Sequence, residues 1–124
     1  MPIVVREHAA RNRILLSGSG VIDIFEMRAA VDQFRAGAGR VVPILLDLSE
    51  ATLTFSSEDV AKLAEDRAAE SKQSRLGPLA LVAKADAPYG VSRMFKAYSD
   101  ANGRPHVGVF RDAVSAERWF QSLE

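Results

Sequence analysis

The chain has 124 residues, 48% apolar and 26% charged, the balance of one globular domain over residues 1–124 rather than of a disordered tail. Sixteen Lys plus Arg offset sixteen Asp plus Glu, which removes the charge excess that nonspecific nucleic-acid or anionic-membrane binding depends on. Cys is absent, which excludes disulfides, thiolate metal sites and Cys nucleophiles, and two His far apart in sequence argue against a His-rich metal site.

The start, Met1-Pro2-Ile3-Val4-Val5-Arg6-Glu7, meets charges too soon to be the apolar region of a secretory signal, and no apolar run approaches the roughly 18 residues of a membrane span. Ile3 to His8 and Arg13 to Ser17 are short β-branched or apolar segments separated by Ala9-Ala10-Arg11-Asn12, a spacing that predicts an antiparallel hairpin. Gly18-Ser19-Gly20 then reads as a loop before a helix. Its glycines would let backbone N–H groups approach a phosphate, but Asp23 stands where a third glycine is needed and would oppose a pyrophosphate. From Asp23, a plausible N-cap, the residues Ile24, Met27, Val31 and Phe34 recur at helical spacing until Gly37 and Gly39. Pro43-Ile44-Leu45-Leu46-Asp47-Leu48 is an apolar run ended by polar residues, which predicts a strand covered on both faces or at a sheet centre.

Ser56-Ser57-Glu58-Asp59 opens a second helix, with acids in its first turn and Val60, Leu63, Ala64 and Ala68 on one stripe. Gly77-Pro78 breaks the chain before the strand Leu79 to Ala83. Pro88 marks the start of a third helix, where Val91, Met94, Phe95 and Tyr98 follow at i, i+3, i+4 and i+7 until Asn102-Gly103 ends it. His106 to Arg111 predicts the last strand, and Asp112 caps a closing helix with Ala116, Trp119, Phe120 and Leu123 inward. The order β-β-α-β-α-β-α-β-α predicts an α/β domain whose parallel strands are joined by right-handed crossovers.

In such folds ligands gather where strands end and the following helices begin. The residues expected there are Asp47 and Ser49, Ser56 and Ser57, Lys84 and Asp86, Tyr89 and Arg93, and Arg111 and Asp112. Short Asp and Ser side chains also satisfy backbone donors at turns and caps, which is their ordinary use. Tyr89 and Arg93 share a helix face, with Gly90 leaving room between them, and Arg93 offers a fork to a carboxylate or phosphate. The plain alternative is an exposed Arg93 paired with Asp86 or Asp100. Trp119, Phe120, Phe95, Phe110 and Phe34 read as core before they read as a pocket. Neither His8 nor His106 has a partner in sequence that would orient it for proton transfer, and no nucleophile elbow, paired-carboxylate signature or metal motif is visible. These readings point away from an enzyme and require no cofactor.

The segment Ile44-Leu45-Leu46-Asp47-Leu48-Ser49, followed by Ser56-Ser57, resembles the STAS domain, the fold of sulfate-transporter tails and anti-sigma-factor antagonists. On that match Ser56 falls on the serine that partner-switching kinases phosphorylate. Phe55 stands where the family has Asp, and Glu58-Asp59 replace Gly-Leu, placing two acids that repel an added phosphate. Tyr89 to Phe95, Val107 to Asp112 and Ala116 to Phe120 are similar to the bacterial SpoIIAA-like branch of these proteins. The resemblance implies a four-turn βα superhelix with an N-terminal antiparallel hairpin, in a cytoplasmic, non-enzymatic regulatory or protein-interaction module. Its alternative is a carrier of a small apolar or amphipathic ligand, acting in the cytoplasm or at the membrane periphery. The partners expected are therefore a protein or a small apolar or anionic ligand, with peripheral membrane contact and homodimer formation among the states allowed, and no nucleic acid. The groups expected to meet them are Asp47, Ser49, Ser56, Ser57, Lys84, Tyr89, Gly90 and Arg93. Any anionic group is expected at the amino end of the third helix.

Overall fold

Apolar runs bounded by turn residues become strands here, and apolar stripes with capping residues become helices, in strict alternation. A computed structural model of the chain describes the backbone of residues 3–8, 13–37, 43–73 and 77–123, and the side chains of 13–30, 43–70 and 77–123. The elements are β1 (Ile3–His8), β2 (Arg13–Ile22), α1 (Ile24–Gly37), β3 (Ile44–Leu53), α2 (Ser57–Gln73), β4 (Leu79–Val82), α3 (Asp86–Ala101), β5 (Val107–Phe110) and α4 (Ala113–Ser122).

The five strands lie side by side in chain order. The run from β2 to β5 is parallel throughout. Strand β1 pairs antiparallel with β2, Ile3 opposite Gly18 and His8 opposite Arg13. The turn expected at Ala9 to Asn12 lies outside the described residues, as do Gly39 and the side chains of His8, Val31 and Phe34.

Successive crossovers of one hand along an unreversed strand order put their helices on one face. Accordingly Met27 of α1, Val60, Leu63 and Ala64 of α2, and Phe95 of α3 share one buried cluster with Ile14, Leu16, Leu46 and Leu81 of the sheet. The opposite face is covered by α4, whose Ala116 and Phe120 pack on Leu45, Ala80 and Val82. The alternation of Leu45 with Leu46, and of Ala80 with Leu81, between two clusters is the period-two signature of a sheet buried on both sides.

Caps predicted from sequence hold their helices. Asp23 Oδ1 accepts from Glu26 N at 2.8 Å, and Asp112 Oδ1 accepts from Ser115 N at 2.7 Å. Ser56 and Asp59 form a reciprocal pair: Ser56 Oγ accepts from Asp59 N, and Asp59 Oδ2 accepts from Ser56 N, both at 3.0 Å.

Strand β4 ends at Val82 rather than Ala83 and β5 spans Val107–Phe110 rather than His106 to Arg111, and other boundaries differ further from the sequence reading. Strand β2 continues through Gly18-Ser19-Gly20 to Ile22, so these glycines are not a loop and do not cradle a phosphate. Ser17 faces Asp47 but Ser19 faces Glu50, a register irregularity that gives β3 one extra residue. Gly18 sits at that point with no room for a Cβ, which would lie 2.8 Å from Ile22 Cδ1, and Gly20 has φ +72°. Strand β3 likewise continues to Leu53, so Asp47 and Ser49 lie within the strand rather than after it. Helix α3 begins at Asp86, two residues before the expected Pro88, which is buried. Leu123, expected inward, is 37% exposed because α4 ends one residue earlier.

Candidate functional site

The polar groups expected at the strand ends are held by local partners. Asp47 Oδ1 accepts from Ser49 N at 2.9 Å, folding the carboxylate onto its own strand, while Ser49 Oγ is buried without a partner among the described residues. Ser56 is engaged in the cap described above, and Ser57 is the exposed first residue of α2. At the start of α3, Gly90 borders open space and Arg93 faces solvent. The cation stacked on Tyr89 is Arg111, its Cζ 3.8 Å from the ring centroid. Arg111 also donates to the Lys84 carbonyl at 2.8 Å and pairs with Asp86 at 2.9 Å, so the basic group at this edge already has an acid beside it. Lys96 pairs with Asp100 at 2.9 Å. The structure thus gathers the Lys84 carbonyl, Asp86, half-buried Tyr89 and Arg111 into one cluster, and exposed Arg93 makes none of these contacts.

A different site is a partly open apolar pocket on the helix-covered face of the sheet. Between the sheet and the three helices on its first face is a cavity of about 90 Å³. Leu16, Leu46, Leu48 and Leu81 form its floor, Val60 and Leu63 one wall, and Val91 and Phe95 the other. Met27 and Phe55 complete the apolar lining. Two charged side chains enter this space, Arg67 from α2 and Arg104 from the turn after α3.

Backbone geometry places Arg104. Gly103, at φ +82°, ends α3 in the left-handed conformation that glycine tolerates. Its N–H donates to the Asp100 carbonyl at 3.1 Å, and the N–H of Arg104 donates to the Ser99 carbonyl at 3.0 Å. These two bonds are a Schellman motif, in which the residue after the glycine folds back against the helix and is usually apolar. Here it is an arginine that is only 4% exposed, with its Nε lacking a hydrogen-bond partner among the described residues. Burial, and then the like charge of Arg67, push the Arg104 guanidinium down to about 10, still far above neutrality. Arg67 itself pairs with Glu70 at 2.5 Å.

The buried face of helix α3 carries Ser92 and Ser99. Each hydroxyl donates to a carbonyl one turn back, Pro88 and Phe95 respectively, at 2.8 Å. Chemically the site combines an apolar chamber with a fixed, desolvated cation at its margin. The sequence reading did not single out Arg67 or Arg104. Two signals were present: Arg67 falls at i+7 from Val60 and i+4 from Leu63, on the apolar stripe, and Arg104 directly follows the Asn102-Gly103 helix stop.

Among the described residues no group of His, Cys, Asp and Glu could hold a metal ion, and no helix is long and apolar enough to cross a membrane. Comparison of the chain with protein-family models, with curated proteins and with solved structures finds no match in any of the three.

Proposed function

We propose that this protein is a non-enzymatic binding module of the STAS type that holds a small apolar or amphipathic ligand in the cavity between the sheet and α1, α2 and α3. The observation that carries this reading is the cavity itself. Interiors are normally packed to the density of organic crystals, so a partly open space of about 90 Å³ lined mostly by core side chains departs from ordinary packing. Its apolar walls suit a hydrocarbon better than water, which needs several polar partners. The family reading is supported by the unreversed order of parallel strands with intervening helices and by the Asp-Leu-Ser stretch at Asp47 to Ser49.

The test is methyl NMR with hexanol. Binding should shift the methyl signals of Leu46, Leu63 and Leu81, and Leu81→Phe, which fills the chamber, should abolish those shifts while preserving the fold. Unchanged spectra of the native protein at millimolar hexanol would refute the reading.

A second reading, a protein-interaction module, is favoured by a separate observation. Phe25 is 77% exposed and Val21 64% exposed, both in the stretch where β2 passes into α1. Val21 pairs with Thr52, and Thr54 N donates to the Ile22 carbonyl at 3.2 Å, which brings this apolar pair to the same edge as Ser56 and Ser57. A Phe25→Ser variant should keep the native melting temperature and, if this edge mediates self-association, remain monomeric in sedimentation where the native chain dimerises.

A further inference from the structure

The cavity carries information about the charge of what fills it. An arginine can be buried in an apolar surround only at the cost of its hydration, and that cost is recovered when a partner accepts its N–H groups. Arg67 has Glu70. Arg104, at 4% exposure, has a buried Nε–H with no acceptor, and it borders the cavity. The Schellman turn fixes its backbone, so the side chain starts from a set position at the margin of the cavity. A purely hydrocarbon-filled chamber would leave that donor as it is and a water would satisfy its hydrogen bond alone, whereas an anion would both accept the hydrogen bond and balance the buried charge.

Resting on the cavity reading above, we infer that the ligand is a small monocarboxylate, its carboxylate on the Nε edge of Arg104 and its short apolar tail among Leu46, Leu63, Leu81 and Phe95. A guanidinium edge matches a carboxylate bidentately. With Glu70 already paired to Arg67, one described cation remains to be balanced, which suits a single negative charge over a phosphate dianion that would also have to shed a larger hydration shell. The chamber limits the tail. It is smaller than the roughly 150 Å³ cavity that admits benzene, so a chain of a few carbons fills it.

The test is a titration of the full chain with butanoate, hexanoate, octanoate and decanoate beside the matching alcohols, followed by the ¹H–¹⁵N signal of the Arg104 side chain and by calorimetry. Hexanoate should move the Arg104 Nε–H signal and bind about ten- to a hundredfold more tightly than hexanol, the yield of one charge-assisted hydrogen bond. Affinity should rise about fourfold per methylene up to the filled length and then stop rising. Arg104→Met should remove the preference for acid over alcohol and leave hexanol binding intact. Arg104→Lys should restore only part of it, and Arg118→Met, which deletes an exposed charge on α4, should leave it unchanged. If hexanol binds and hexanoate binds no better, or if Arg104→Met retains the preference, the carboxylate inference falls while the cavity reading stands. If neither compound binds, both fall together.

Discussion

Arg104 is the residue at which stability and binding pull in opposite directions. Because burial, and then the like charge of Arg67, lower its proton affinity to about 10, the folded state gives up that proton at a lower pH than the unfolded chain, whose arginine keeps its higher ordinary value. Below pH 10 both states are charged and the folded one bears the full penalty; stability from this group rises only between those two values. At neutral pH, Arg104→Met should therefore leave the free protein equally stable or stabilise it by about 1 to 4 kcal/mol, as replacements of buried charges by apolar side chains commonly do. Differential scanning calorimetry should show the higher melting temperature, and a loss of several degrees would mean that Arg104 is paired within the fold. Stereochemistry at this point was half legible in the sequence. Asn102-Gly103 announced the helix end, and the turn motif then dictates where the next side chain goes. What no pattern disclosed was that the sheet and α2 leave a void there, since a void is a property of how facing side chains meet and has no periodicity.

Among the elements, helices α1 and α2 are joined by charge and α4 is held by a more deeply buried link. Asp66 of α2 receives hydrogen bonds from Arg28 of α1 at 3.0 Å and lies 3.3 Å from Lys62. Burial opposes ionisation of Asp66, but the hydrogen bonds from Arg28 and Lys62 outweigh it and hold the carboxyl below its ordinary value. A depressed carboxyl contributes stability above its unfolded value of 3.8 and loses it as pH falls through the folded value. Asp66→Asn should accordingly cost under about 1 kcal/mol at neutral pH, since the pair is well exposed, and the difference from the native chain should vanish in urea titrations at strongly acid pH. Arg13 is buried under α4, 3.3 Å from Glu117 and 4.5 Å from the Phe120 ring centroid. Glu117→Ala should cost more, about 1 to 3 kcal/mol, because a buried cation loses an acceptor; an effect within experimental error would show that Arg13 is satisfied without it. The helices were readable from their stripes and caps, with Asp23 and Asp112 where expected. Strand β1 runs as expected from Ile3 to His8, but the end of β2 was missed, because Gly18-Ser19-Gly20 has the composition of a turn while its pairing with β3 keeps it in the sheet.

For the whole molecule, the α/β class and the succession of elements followed from alternating patterns. Which faces the helices took followed from the strand order, which short apolar runs do not encode. The candidate site moved for a related reason: polar residues advertise themselves in a sequence, while an interior chamber is built from leucines that look like any core. The side-by-side placement of β1 to β5 in chain order has a consequence for how the protein is made. Each strand finds its neighbour already synthesised, so the sheet can lengthen one β-α unit at a time in the direction of translation, with mostly near-neighbour closures. The pocket is then completed late, when α3 and its terminal turn deliver Phe95 and Arg104 onto a surface laid down by β2, β3 and α2. Pulse-labelled hydrogen exchange during refolding should find the amides of Leu16 and Leu46 protected before those of Val107 and Val109, and simultaneous protection would rule out such ordered growth. A nascent chain paused before residue 86 would expose the leucines of the chamber floor to the ribosome's surroundings, making that stretch of synthesis the interval in which a chaperone has most to cover.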